Sequence, residues 1–115
     1  MNGLCYAEFS ATNMERAKAF YNEIFGWEFH PMDENYATFE TDGIGGGLSK
    51  VEEVKAGGPI VYIQVEDIDA TLKVIGGKGG KTIVPKTKIS DEHGSFAHFN
   101  DSEGNVMGLY TSPQQ

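Results

Sequence analysis

Along this chain an alternating pattern of apolar and polar positions gives way to a helical period, and it does so twice. Leu4 to Ser10 (LCYAEFS) reads as a strand. Met14, Ala17, Tyr21, Ile24 and Phe25 then recur at helical spacing, with Glu15, Arg16, Lys18, Asn22 and Glu23 on the wet side. Thr12 with Glu15 three residues on makes a capping box, Asn13 is the alternative cap, and Gly26 ends the helix. The second round is Pro59 to Val65 (PIVYIQV), then a helix capped by Asp67 with a stripe of Ile68, Leu72 and Ile75, stopped by Gly76-Gly77.

The two rounds are copies. Asn13 to Gly26 and Asp67 to Gly80 span the same 13 positions, and the same offset sets Met14 on Ile68, Phe29 on Ile83 and Pro31 on Pro85. Further on, NYATFETDG (Asn35 to Gly43) matches SFAHFNDSEG (Ser95 to Gly104), and GGGL (Gly45 to Leu48) matches VMGL (Val106 to Leu109). Each copy reads strand, helix, strand, strand, strand, the first over residues 3–52 and the second over 57–112 of a single 1–115 domain. Trp27 opens the second strand of copy one and is assigned to core or interface.

Charge and cysteine content narrow the function classes. Nine cationic against 17 acidic side chains give a net charge of −8, which opposes binding to nucleic acid, because phosphate contacts need clustered Lys and Arg. Cys5 is the only cysteine, so no intrachain disulfide and no cysteine-based metal site can form. No apolar run reaches signal-peptide or membrane-span length, so the expectation is a soluble, cytoplasmic protein. GGKGGK (Gly76 to Lys81) follows a helix, whereas a phosphate cradle needs its glycines before one. His30 and His93 are read as exposed loop or strand-end residues.

The duplicated unit, together with ERAKAFYNEIFGWEF, VEDID and DSEGNVMGL, resembles the glyoxalase/bleomycin-resistance/dioxygenase superfamily, the vicinal oxygen chelate proteins. The likeness is greatest to a subgroup related to lactoylglutathione lyase. It implies an α+β fold in which two βαβββ repeats form a cupped, barrel-like mixed sheet with helices outside, in a homodimer. Catalytic members hold a divalent metal with four side chains, one from the first and one from the last strand of each repeat. Counting from the motifs places these positions at Tyr6, Gly47, Ile60 and Gly108, which are not a ligand set, so no metal and no other cofactor is expected. The glycines are expected either to widen the floor of the cup or to mark bulges.

Strand alternation then gives the lining. Tyr6, Tyr62, Gln64, Phe96, Gly47, Gly108 and Tyr110 are the candidate ligand-binding residues, and Glu8 and His98 the candidate acid/base pair. Against that pair stands a structural role, with Glu8 held by tyrosine hydroxyls or backbone amides and His98 packed as an aromatic. The function expected is binding of a small organic molecule in an aromatic cup, by sequestration or metal-free proton transfer. The alternatives are a metal-dependent lyase, isomerase or dioxygenase with shifted ligands, such as Glu8 with His98, and an interaction module without a ligand.

Overall fold

The computed structural model describes residues 1–54 and 58–113. The chain is α+β, in the order β1 (Leu4–Ala11), α1 (Met14–Phe25), β2 (Glu28–Asp33), β3 (Tyr36–Glu40), β4 (Gly45–Lys50), β5 (Ile60–Gln64), α2 (Ile68–Gly77), β6 (Lys81–Ser90), β7 (Gly94–Asn100) and β8 (Val106–Thr111). This is the expected βαβββ unit, written twice. It divides into two compact units, Tyr6–Pro59 and Met1–Cys5 with Ile60–Gln115. The first residues belong with the second repeat's strands, where Asn2 donates to the Gln64 carbonyl and Gln64 to that of Gly3.

In the unit Tyr6–Pro59, β1 runs parallel to β4, and β4–β3 and β3–β2 are antiparallel. The Asn13 side chain accepts from the Arg16 amide and caps α1, and Gly26, at φ 75°, closes it by donating to the Asn22 carbonyl. Thr12 is therefore not the cap; its hydroxyl accepts from the Arg16 guanidinium instead. Met14 and Ala17 pack on Phe9, Ala11, Ala37 and Leu48 of the sheet. The helical stripe does not stay buried to its end, since Ile24 and Phe25 are 58 % and 60 % exposed. The physical reason is Trp27, whose ring stacks on Phe39 at 4.9 Å and on Tyr21 at 5.0 Å and takes the ground that the last helical turn would cover. Trp27 is half-buried there.

In the other unit, β5 runs parallel to β8, and β8–β7 and β7–β6 are antiparallel. Asp67 caps α2 by accepting from the Ala70 amide, and Ile68, Leu72 and Ile75 pack on Ile63, Val65, Ala97, Phe99, Met107 and Leu109. Gly76 and Gly77 sit inside the last turn, so the cap falls one residue later than expected, on Lys78. The outermost strand β6 slips register three times beside β7, once around Pro85, which cannot donate to a ladder. No helix among the described residues is long and apolar enough to cross a membrane.

Candidate functional site

Each helix covers one face of its sheet, and strand alternation fixes what the other face carries. Phe9 and Ala11 point to α1, so Tyr6 and Glu8 point away from it. Val65, Phe99 and Leu109 point to α2, so Tyr62, Gln64, Phe96, His98, Gly108 and Tyr110 point away. The strand phase that underlies the expected lining is the one observed.

In the first unit the centre of this face is a chain of hydroxyls ending on a carboxylate. The Tyr36 hydroxyl donates to Glu8 Oε2 at 3.0 Å, and the Tyr6 and Tyr36 hydroxyls lie 2.5 Å apart. If Tyr36 spends its one proton on Glu8, Tyr6 is the donor of the second bond. Burial pushes the Glu8 carboxyl above its ordinary value, and the Tyr36 bond partly offsets this. Burial likewise raises both phenols, which stay protonated throughout the neutral range.

The chain exists because Gly47 has no side chain. A Cβ there would stand 1.8 Å from the Tyr36 hydroxyl and 2.5 Å from that of Tyr6. The second unit repeats the device. A Cβ on Gly108 would stand 2.3–2.8 Å from three ring atoms of Tyr62, which is buried beside it on the paired strand. Neither glycine has a positive φ, so both are required by the close approach of a ring and not by backbone conformation. The glycines do not widen the floor; tyrosines fill the space they leave.

Tyr62 donates to, or accepts from, His98 Nε2 at 2.7 Å, and the two rings lie 5.6 Å apart. Phe96 flanks His98 at 5.3 Å. Burial lowers the His98 imidazole below its ordinary value, favouring the neutral ring. Gln64 turns to the exposed end of its strand and donates to Ser112. Glu8 and His98 each have a phenol partner inside their own unit. Tyr36 is the residue that motif counting missed. The signal was present, because the match of NYATFETDG with SFAHFNDSEG sets Tyr36 on Phe96, which was assigned to the lining.

An open depression of about 480 Å³ lies elsewhere on the first unit, among Thr12, Asn35, Lys50, Val51 and Glu52. No expected site residue lines it. The tyrosine faces remain the better candidate, because polar groups converge there on aromatic rings. Among the described residues no three His, Cys, Asp or Glu side chains gather where they could hold an ion.

Residues 3–109 match the family model of the Glyoxalase/Bleomycin resistance protein/Dioxygenase superfamily. The chain belongs to that superfamily. It is 34 % identical to a glyoxylase-like domain-containing protein of Didymella fabae, over 92 % of this chain and 91 % of the relative. Among solved structures it is similar to the Mn(II)-bound glyoxalase of Novosphingobium aromaticivorans, with 16 % identity, a TM-score of 0.76, and coverage of 99 % of this chain but 42 % of that one. It is also similar to methylmalonyl-CoA epimerase of Mycobacterium tuberculosis, with 16 % identity, a TM-score of 0.71, and coverage of 98 % and 89 %. At such identities the structural likeness speaks for the fold. Glyoxalase-type, epimerase and dioxygenase chemistry all occur on it, so what this superfamily member does must be argued from its own side chains.

Proposed function

We propose that the chain binds a small organic molecule on the tyrosine-lined faces of its sheets and does so without the divalent metal of catalytic relatives. The observation that carries this reading is the filling of Gly47 and Gly108. The four positions at which the superfamily places ligands hold a phenol, an alkyl chain and two bare backbones, and the room over the glycines is taken by Tyr36, Tyr6 and Tyr62. Such a donor set does not fit a divalent cation, which asks for imidazole, thiolate or carboxylate at most of its positions. What the faces offer instead is hydrogen-bonding phenols, one carboxylate and one imidazole on aromatic ground, the composition of an organic-ligand site.

Sequestration needs nothing more than this. Proton transfer is the chemistry the same groups would supply. Glu8 is a carboxylate whose burial raises its basicity, and His98 is a neutral imidazole already bonded to a phenol, so each can take a proton from a bound substrate or return one. The reading includes self-association, supported by Phe20, Ile24 and Phe25, three apolar side chains of α1 that are each more than half exposed. Light scattering at two protein concentrations measures it.

A thermal-shift screen over a broad panel of aromatic and aliphatic metabolites tests the binding claim, since a native-state ligand stabilises by about 2.7 kcal/mol at a hundredfold excess over Kd. The expected result is at least one stabilising compound whose effect is lost in Tyr36→Phe or Tyr62→Phe. No stabilisation across the panel would count against the reading.

A further inference from the structure

Helix α1 carries a second surface, on the side away from its sheet. Met14 and Ala17 pack on the sheet, and Tyr21 stacks on Phe9 and Trp27. At 3.6 residues per turn, Arg16, Ala19, Phe20 and Glu23 then fall within an arc of about 100° on the opposite side. All four are exposed, Phe20 at 55 %, and Ile24, one turn on, borders the arc at 58 %. Phe25 lies elsewhere, against Trp27. Two large apolar side chains left in water a turn apart and rimmed by charges have the make-up of an interface patch.

The charges on this arc are self-complementary. Arg16 and Glu23 stand equally far from the midpoint between Ala19 and Phe20, about 5 Å along the axis on either side. A twofold axis through that midpoint, perpendicular to the helix, sets an antiparallel second copy of α1 against the first. Arg16 then faces Glu23 of the second copy, and Glu23 faces its Arg16. The same operation seats the Phe20 ring on Ala19 of the second copy, a large side chain on a small one, which lets two helices approach closely. Neither charge is already used inside the chain, since among the described residues neither Arg16 nor Glu23 forms an ion pair. Arg16 donates to the Thr12 hydroxyl, and its neighbours one turn away are Thr12, Asn13, Ala19 and Phe20, none of them acidic. Glu23 has Ala19, Phe20, Gly26 and Trp27 at these spacings, none of them cationic.

We propose that this face of α1 docks a second copy of the chain, antiparallel about a twofold between Ala19 and Phe20, with two Arg16–Glu23 bridges flanking the Phe20 contacts. The proposal rests on the self-association included in the functional reading, and it names the surface and its geometry. Charge sign supplies the selectivity. At −8 per chain two copies repel through most of their surface, whereas this arc brings two opposite-charge pairs into register. Tyr6 and Glu8 point away from α1, so the pairing leaves the tyrosine face of this unit open to a ligand. Exposed charge pairs around one aromatic contact per copy make a reversible dimer, not an obligate one.

Sedimentation velocity over a concentration series, on the intact chain and its charge variants, is the test. The wild type is expected to show a monomer–dimer equilibrium. Arg16→Glu and Glu23→Arg each turn two attractions into two repulsions, and each should weaken the dimer about tenfold or more. The double variant restores both pairs with reversed sign and should return to within about threefold of the wild type. Net-charge repulsion alone gives a different pattern, because Glu23→Arg makes the chain less negative and would tighten the dimer. Amide chemical shifts of the wild type, which need no variant to fold, should move with concentration at Arg16, Ala19, Phe20 and Glu23. A dimer that Glu23→Arg tightens or leaves unchanged, that the double variant fails to restore, or whose shifts lie elsewhere would overturn this geometry and leave self-association standing. A monomer at every concentration would overturn both and leave the face to a partner other than this chain, while the metabolite screen decides ligand binding separately.

Discussion

Adding one methyl group at Gly108 should destabilise the native chain, and the same methyl group should stabilise it once Tyr62 is gone. The alanine Cβ would stand 2.3 Å from Tyr62 Cδ2, 2.4 Å from Cε2 and 2.8 Å from Cγ, all well inside van der Waals contact. These are ring atoms near the root of the side chain, and the far end is held at 2.7 Å by His98, so the ring cannot swing clear without losing that bond. Overpacking of this kind costs about 1–3 kcal/mol. Because Gly108 lies outside the left-handed region, alanine also removes unfolded-state freedom, which offsets about 0.4–1 kcal/mol. The net expected loss for Gly108→Ala is thus roughly 0–2.6 kcal/mol, about 1.3 kcal/mol at the middle of the range. With an unfolding entropy of about 2.1 cal/mol/K per residue, 115 residues give a fall in Tm of roughly 4 °C per kcal/mol. In a Tyr62→Ala background the clash is absent and only the offset remains, so Gly108→Ala should gain about 0.4–1 kcal/mol. Denaturant unfolding of the four proteins reads the coupling directly. Equal losses in both backgrounds would refute the claim that the glycine exists to seat the ring.

Other expectations follow from the caps, the core and the buried titratable groups. Asn13→Ala should cost about 1 kcal/mol of stability in the same unfolding assay, and Thr12→Ala clearly less, because Asn13 alone accepts from the first-turn amide. Leu48→Ala, at a site 2 % exposed, should cost about 2–5 kcal/mol, whereas Ile24→Ala, at 58 % exposure, should stay within about 0.5 kcal/mol. Burial raises the Glu8 carboxyl, so the folded state holds that proton longer than the unfolded one; its contribution to stability is full below its ordinary value of 4.5 and is lost as pH rises through the folded value. Burial lowers His98, so its contribution is full above 6.5 and is lost as pH falls through the folded value. Unfolding across pH 4 to 8, a range of about four units that brackets both groups, should lose the first slope in Glu8→Gln and the second in His98→Gln.

What could be read from the sequence was whatever depends on one strand or helix at a time. Both helices, the eight strands and the phase that turns Tyr6, Glu8, Tyr62 and His98 away from the helix of their own unit follow from periodicity, because alternation is a property of a single strand. The helix caps came out half right for a local reason. Thr12 and Asn13 are both good caps, and only backbone geometry decides that Asn13 takes the extended conformation that aims its side chain at Arg16 N. The burial of α1 depends on a third party, Trp27, whose stack with Phe39 and Tyr21 displaces the end of the stripe. The glycines were the hardest case. Gly47 and Gly108 were recognisable as odd residues at ligand positions, but the rings that fill their space come from neighbouring strands. Tyr36 sits diagonally across β3 and β4, since Thr38 is the residue directly opposite Gly47. Pairing register, which one sequence does not reveal, converts an apparent gap into a seat.

The central claim is that tyrosine rings have replaced a metal at the positions where this superfamily binds one. Elemental analysis of protein purified without chelator, repeated after incubation with Mn²⁺, Ni²⁺ and Zn²⁺ and gel filtration, tests it most directly. The account predicts that no divalent metal remains in stoichiometric amount. One equivalent of a single divalent metal retained per chain, and lost in Glu8→Gln or His98→Gln, would contradict it.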